Sequence, residues 1–278
     1  VDPKGLNRSA VSGRWLDAHA WAMARAMKGK GHAAPLPSYR LDKQFNTDAN
    51  LSAAERVINI QPKDKTLFKK CRASYEAFME LDFAREMKEA ISRVSDTNFA
   101  NLLMNDAFTG AAAADGENGI YAQSYELPDG QVVDIGVKER HACAELLFEP
   151  SHVPWNSSQM HTLGLHLQAE GVNDDGGSSS ASSVNSIPGN VNASIAKLAC
   201  DSFYRCSHDQ ALQSNLLSNV IVSGGNSVFD NLPGRLQNEM EMILQAAVPS
   251  ARVKTIATAP NERSICPWLG ASILGSLG

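Results

Sequence analysis

Apolar positions recur along this chain at two spacings, and together they predict a fold of helices and strands. Over 12–27, Trp15, Leu16, His19, Met23 and Met27 fall on one face of a helix that Gly29-Lys30-Gly31 stops. The longest periodic stretch runs from Leu67 to Val94. There Phe68, Cys71, Tyr75, Phe78, Met79, Phe83, Met87 and Ile91 keep returning to one side. That stripe predicts a long amphipathic helix packed on a sheet. Its other face carries Glu76, Glu80, Arg85, Lys88 and Glu89, spaced for i,i+4 pairs in solvent or for contact with a partner helix.

The strands read by alternation. Ser124 to Ile135 alternates around Pro128-Asp129-Gly130 and predicts two strands joined by a tight turn. Ala144 to Phe148 predicts a short helix, after which Pro150 and Pro154 open a loop. Residues 193–217 read as a helix in two pieces, broken near Ser207. Arg252 to Ala257 predicts a strand, and Trp268 to Leu277 a helix rich in small residues. Residues 35–37, 44–53 and 107–120 read as loop. Residues 172–189 are dominated by Ser, Asn, Asp and Gly and bury too little apolar surface to offset ordering entropy, which predicts a disordered insertion.

Composition narrows the class. With 278 residues the chain can build a substantial core and two lobes. A net charge of -5 implies no broad basic surface, so nucleic acid would be met only indirectly. Cys71, Cys143, Cys200, Cys206 and Cys266 are odd in number and form no CxxC pair, which favours reduced thiols over a disulfide framework. Neither Cys200-Cys206-His208 nor His141-Cys143 has a zinc spacing, so no metal site is expected. His161 and His166 sit beside a loop and join no Ser/His/Asp arrangement. No apolar run has the length of a membrane span, so no membrane partner is expected. The chain opens on Val1 and ends in an apolar helical stretch, as expected of a piece of a larger polypeptide.

The stretch with most chemical content is 219–234. A β-branched run, Val220-Ile221-Val222, ends on Ser223-Gly224-Gly225, and Leu232, Leu236, Met240, Ile243 and Leu244 follow at roughly helical spacing. A strand, a glycine pair and a helix start can cradle an anionic ligand, because glycine lets it approach the backbone and free N–H groups attract it. An ordinary strand-to-helix turn asks for the same residues. Asn226 and Ser227 would then cap the helix, and Phe229 would be core.

Four motifs in order resemble the actin family. They are Tyr125-Glu126-Leu127-Pro128-Asp129-Gly130-Gln131 with Ile135-Gly136, then Leu146-Leu147-Phe148-Glu149-Pro150-Ser151, then Val222-Ser223-Gly224-Gly225-Asn226-Ser227. The last is Glu262-Arg263 with Trp268-Leu269-Gly270-Ala271-Ser272-Ile273-Leu274. Arg93-Val94-Ser95-Asp96-Thr97, Ser74-Tyr75 and Ala34-Pro35-Leu36-Pro37-Ser38-Tyr39 are similar to the nuclear actin-related protein class four, which serves chromatin remodellers and histone acetyltransferases. Asn226, where conventional actins have Thr, suits the same branch.

The resemblance covers the second half of the family's chain and implies an α/β lobe of the actin/Hsp70/sugar-kinase type. Residues 1–120 would form the small inserted subdomain, and 121–278 the larger one. Gly224, Gly225, Asn226, Ser227 and Phe229 would meet a structural ATP or ADP, with Mg only if the other half supplies its ligands. The family's adenine-side Lys-Glu pair falls at Ala73-Ser74, and its late basic residue at Ser264, so both sites lose their charges. With both phosphate loops and the water-orienting Gln also outside this chain, the resemblance implies a scaffold rather than a turning-over ATPase. Implied partners are monomeric actin and a scaffold helix of a remodeller or acetyltransferase, met by Leu147, Phe148, Pro150 and the helix from Trp268. The implied location is the nucleus. The competing expectations are a polymerising actin-like ATPase and a dynactin-type filament subunit, both cytoplasmic.

Overall fold

Small side chains decide how the first helix packs. The computed structural model describes residues 5–7, 9, 11–26, 35–45, 57–68, 70–96, 123–150, 193–206, 210–246, 248–249 and 251–277. Helix α1 (Gly13–Ala26) buries Trp15, Leu16 and Trp21 together with Ala18, Ala20 and Ala24. The three alanines let α1 approach the long helix closely, and Trp21 meets Phe83 edge to face at 5.9 Å. His19 and Met23, expected on the core face, are only partly covered.

Strands β1 (Leu41–Phe45) and β2 (Val57–Pro62) pair antiparallel with an irregularity between Gln44 and Phe45. This pair contradicts the expectation of loop at 44–45. The long helix, α2 (Ala73–Ile91), begins later than its stripe suggests. Lys65–Phe68 is a separate 3-10 turn in which Asp64 Oδ1 accepts the Thr66 N–H at 2.9 Å. The stripe itself divides: Leu81, Phe83, Ala84, Met87 and Ile91 are buried, whereas Tyr75 and Phe78 are exposed. Lys88, expected in solvent, is buried and bonds Asp17 of α1 at 2.6 Å.

Strands β3 (Gln123–Glu126) and β4 (Val132–Ile135) form the expected hairpin, with Gly130 at φ 82° closing the turn. Helix α3 spans Val137–Glu145, while Leu146 to Phe148 form a turn, so the short helix lies earlier than expected. Its sequence is too polar to show a stripe. Helices α4 (Ile195–Cys206) and α5 (Gln210–Leu217) follow. Strand β5 (Val220–Ile221), helix α6 (Leu232–Gln245) and strand β6 (Thr255–Ile256) make a parallel β-α-β unit. The strand expected over 252–257 has only two paired residues. Helix α7 runs continuously over Pro260–Leu277, starting eight residues before the expected Trp268. The expectations for 107–120 and 172–189, and for Gly29, Met27, Pro154, His161, His166, Ser207 and His208, lie outside the described residues. Among the described residues, no helix is long and apolar enough to cross a membrane.

One buried cluster connects α1 and α2 to α3, α4 and α6. Its polar pin is Arg235 of α6, only 2% exposed. Arg235 donates to the Ser95 carbonyl at 2.9 Å and to Glu239 at 2.7 Å, lies 3.4 Å from Glu145, and stacks 5.0 Å from the Phe148 ring. Glu145 accepts the Ser95 N–H at 2.7 Å. These bonds tie the strand-like exit of α2 to α3 and α6.

Burial pushes the Glu145 carboxyl up to about 7, against the pull of Ser95 N–H and Arg235. The folded protein therefore holds a proton that the unfolded chain releases above the ordinary value of 4.5. Stability from this group is complete below pH 4.5 and is lost as pH rises toward 7. Urea unfolding across that window should show a smaller fall for Glu145→Gln than for the parent chain; equal slopes would refute the assignment.

Candidate nucleotide-facing site

The glycine turn is built by one residue in an unusual conformation and one unusual acceptor. Gly224 has φ 95° and ψ 165°, a region essentially closed to residues with a Cβ. Its N–H donates to the Arg263 carbonyl of α7 at 2.9 Å. In an unbroken helix that carbonyl would accept from residue 267, four positions on. Residue 267 is Pro267, inside α7, and has no N–H to give. The proline thus frees the acceptor that the glycine turn uses.

The chain then makes a 3-10 turn over Gly225–Val228, with Ser227 Oγ donating to the Gly224 carbonyl at 2.6 Å. Ser227 therefore holds this turn and does not cap α6, whose N-cap is Asn231 in the left-handed region at φ 67°. Asn231 is fixed there by donating to Asp96 at 2.6 Å.

This turn borders a cleft of about 740 Å³, within the range of small-molecule sites. Gly225, Asn226 and Phe229 line it. Gly224 and Ser227 belong to the same turn but do not line the cleft. A Cβ on Gly225 would meet nothing within 4 Å, so there is open space beside its backbone. Phe229 is buried, as the core reading expects, and also lines the cleft.

The rest of the lining was not legible as a site. It begins with Gly13 and Arg14, the first turn of α1. A Cβ on Gly13 would lie 3.2 Å from Asn226 Oδ1, so close approach of α1 to the turn favours glycine. The first turn of α7 contributes Asn261 and Ser264. Helix N-termini carry partial positive charge. Lys88, paired with Asp17, sits 6.0 Å from the Phe229 ring. Arg140 lines the cleft too; burial, then the neighbouring Arg93, draws its pKa down. The signal that could have found this part of the lining is the Gly13-Arg14 pair at a helix start, one of many such pairs in sequences. Ala73 and Ser74 stand exposed at the start of α2, away from the described lining.

The partner candidates divide. Leu147, Phe148 and Pro150 are buried, with Phe148 against Arg235, so they serve the protein's own core. Trp268 is 69% exposed, and Ile265, Leu269, Ile273 and Leu274 on the same helix are exposed as well. Among the described residues, no group of three or more His, Cys, Asp or Glu is placed to hold a metal.

A parallel β-α-β unit with a Gly-Gly turn after its first strand belongs to the α/β class of folds. The sequence model of the family Actin matches residues 3–278, and the chain belongs to the actin family. It is 32% identical to Actin-related protein 4 of Oryza sativa subsp. indica, over 74% of this chain and 37% of the relative. Actin-related protein 4 of Arabidopsis thaliana is 28% identical, over 86% of this chain and 48% of the relative. A subunit of the SWI/SNF and RSC complexes, arp42 of Schizosaccharomyces pombe, is 27% identical over 99% of this chain and 54% of the relative. The chain thus spans about half the length, or less, of these relatives.

Two outcomes test the turn. Gly224→Ala should cost roughly 1–3 kcal/mol in urea unfolding, while Gly225→Ala changes stability far less; equal costs would contradict the geometry. Pro267→Ala gives Arg263 a competing helical donor, so the Gly224 amide should exchange with deuterium faster; unchanged exchange would show that the proline is not what frees the carbonyl.

Proposed function

We propose that this chain is the nucleotide-facing second half of a nuclear, non-catalytic actin-related subunit of a chromatin-remodelling or histone-acetyltransferase complex. It forms two subdomains, 1–120 and 121–278. It pairs with monomeric actin and seats a scaffold helix against α7. The observation that carries this reading is the recurrence of Actin-related protein 4, with a SWI/SNF and RSC subunit, among its relatives. The exposed apolar side chains of α7 support it, because large apolar surface left in solvent marks a docking site. An amphipathic scaffold helix is the occupant such a surface suits.

The cleft fits the adenosine end of ATP or ADP. Phe229 offers an apolar wall, the Asn226 amide offers a donor and an acceptor, and Gly225 leaves the backbone accessible. Arg14 and Arg140 supply positive charge. A bound nucleotide would act as a bridge between this lobe and the remainder of the polypeptide, which would also have to supply any Mg ligands. Ser264, where the family carries a basic residue, removes one charged contact and favours a structural nucleotide over a hydrolysed one.

Affinity purification of the full-length protein from nuclei tests the assignment. Actin and a subunit with a long scaffold helix should co-purify, and Trp268→Glu should remove the scaffold subunit without changing the unfolding midpoint. Loss of neither partner, or self-assembly into filaments with ATP turnover, would overturn the reading. Gly225→Leu should release the nucleotide detected by mass spectrometry after denaturation; a protein that never carries nucleotide would defeat the structural-ligand proposal while leaving the partner proposal standing.

A further inference from the structure

Far from the glycine turn, an aromatic plate is exposed at the start of α2. Tyr39, in a 3-10 turn over Ser38–Arg40, meets Phe68 edge to face at 5.5 Å and Tyr75 at 5.3 Å. Arg40 locks the plate. Its guanidinium sits 5.6 Å from the Tyr39 ring and 5.9 Å from Phe68, its Nε donates to the Tyr39 hydroxyl at 2.9 Å, and it bonds Glu76 at 2.6 Å. A surface held this way loses little side-chain freedom when something lands on it.

Apolar side chains stand out from the plate. Leu67 is 69% exposed and Phe78 is 60% exposed. Phe78 follows Tyr75 by three residues and shares its helix face. Neither contributes to the buried cluster. The same stretch of sequence is rich in cations. Between 63 and 72 the chain carries Lys63, Lys65, Lys69, Lys70 and Arg72 against the single carboxylate Asp64, in a chain whose net charge is -5. Asp64 already accepts the Thr66 N–H, and Lys70 and Arg72 are exposed.

We propose that this surface docks an acidic amphipathic peptide segment of a partner protein. Its apolar side chains rest on Leu67, Tyr75 and Phe78, and its carboxylates face Lys70 and Arg72. The local excess of positive charge selects an acidic partner. The apolar anchors select a peptide over a nucleic acid. Base stacking needs an open aromatic face, and Arg40 lies over that of Tyr39 while Phe68 and Tyr75 crowd its edges. Leu67 and Phe78 offer contacts that a sugar-phosphate backbone does not use. The proposal stands apart from the nucleotide cleft and from α7.

Fluorescence anisotropy on the full chain tests it, with a short labelled peptide that carries Phe and Leu at helical spacing among Asp and Glu. The peptide should bind, and binding should weaken as salt is raised. The double variant Lys70→Glu/Arg72→Glu and the single variant Phe78→Ser should each lower affinity by on the order of tenfold or more, with unchanged urea midpoints. Leu67→Ser serves as a second apolar variant should Phe78→Ser unfold. A peptide of Asp and Glu alone should bind about tenfold more weakly than the amphipathic one. Absence of binding, equal affinity in all variants, or preferential binding of a DNA duplex to the same residues would overturn the proposal.

Discussion

The hydrogen bond from the Gly224 N–H to the Arg263 carbonyl joins the glycine turn to helix α7. It fixes the turn that faces the cleft, and it fixes the first turns of α7, which lines that cleft and then carries its apolar side chains into solvent. The bond exists on two local conditions. Only glycine adopts the Gly224 backbone angles without strain, and only a missing donor at position 267 leaves the Arg263 carbonyl wholly available. The turn and α7 are thereby tied together at this backbone hydrogen bond.

The second constraint is Arg235. It is a buried cation held by Ser95, Glu239 and Glu145, with Phe148 stacked on its guanidinium. A buried ion network is weak as a source of net stability, because desolvation offsets most of the attraction, but removal of one partner is costly. Its structural consequence is positional. It ties the exit of α2 to α6, where Arg93 and Asp230 also form an isolated parallel bridge.

Much of this was legible in the sequence. The Gly224 turn announced itself because a glycine pair after a β-branched run satisfies a backbone requirement no other residue meets, and the Pro128-Asp129-Gly130 hairpin did so for a similar reason. The actin-like class followed from motifs around those turns. What stayed hidden was tertiary or chemically quiet. Helix α3 is polar on all sides, so periodicity could not place it. Alanines on α1 set the helix spacing without reading as a hydrophobic stripe. The Gly13 wall meets Asn226 only after more than two hundred residues of chain have folded, and the Pro267 effect depends on a donor from another element. Leu147 and Phe148 looked like partner surface by resemblance, yet a run of apolar residues beside a buried arginine is better used as core.

We propose that the turn at 224–229 forms one wall of a nucleotide cleft. Amide hydrogen exchange on the full-length protein, with and without saturating ADP, tests it directly. The Gly224 amide should be slow in both states because Arg263 holds it, and the amides of Gly225 to Phe229 should gain protection when the nucleotide is added. Unchanged exchange throughout 224–229 at saturation would contradict the claim.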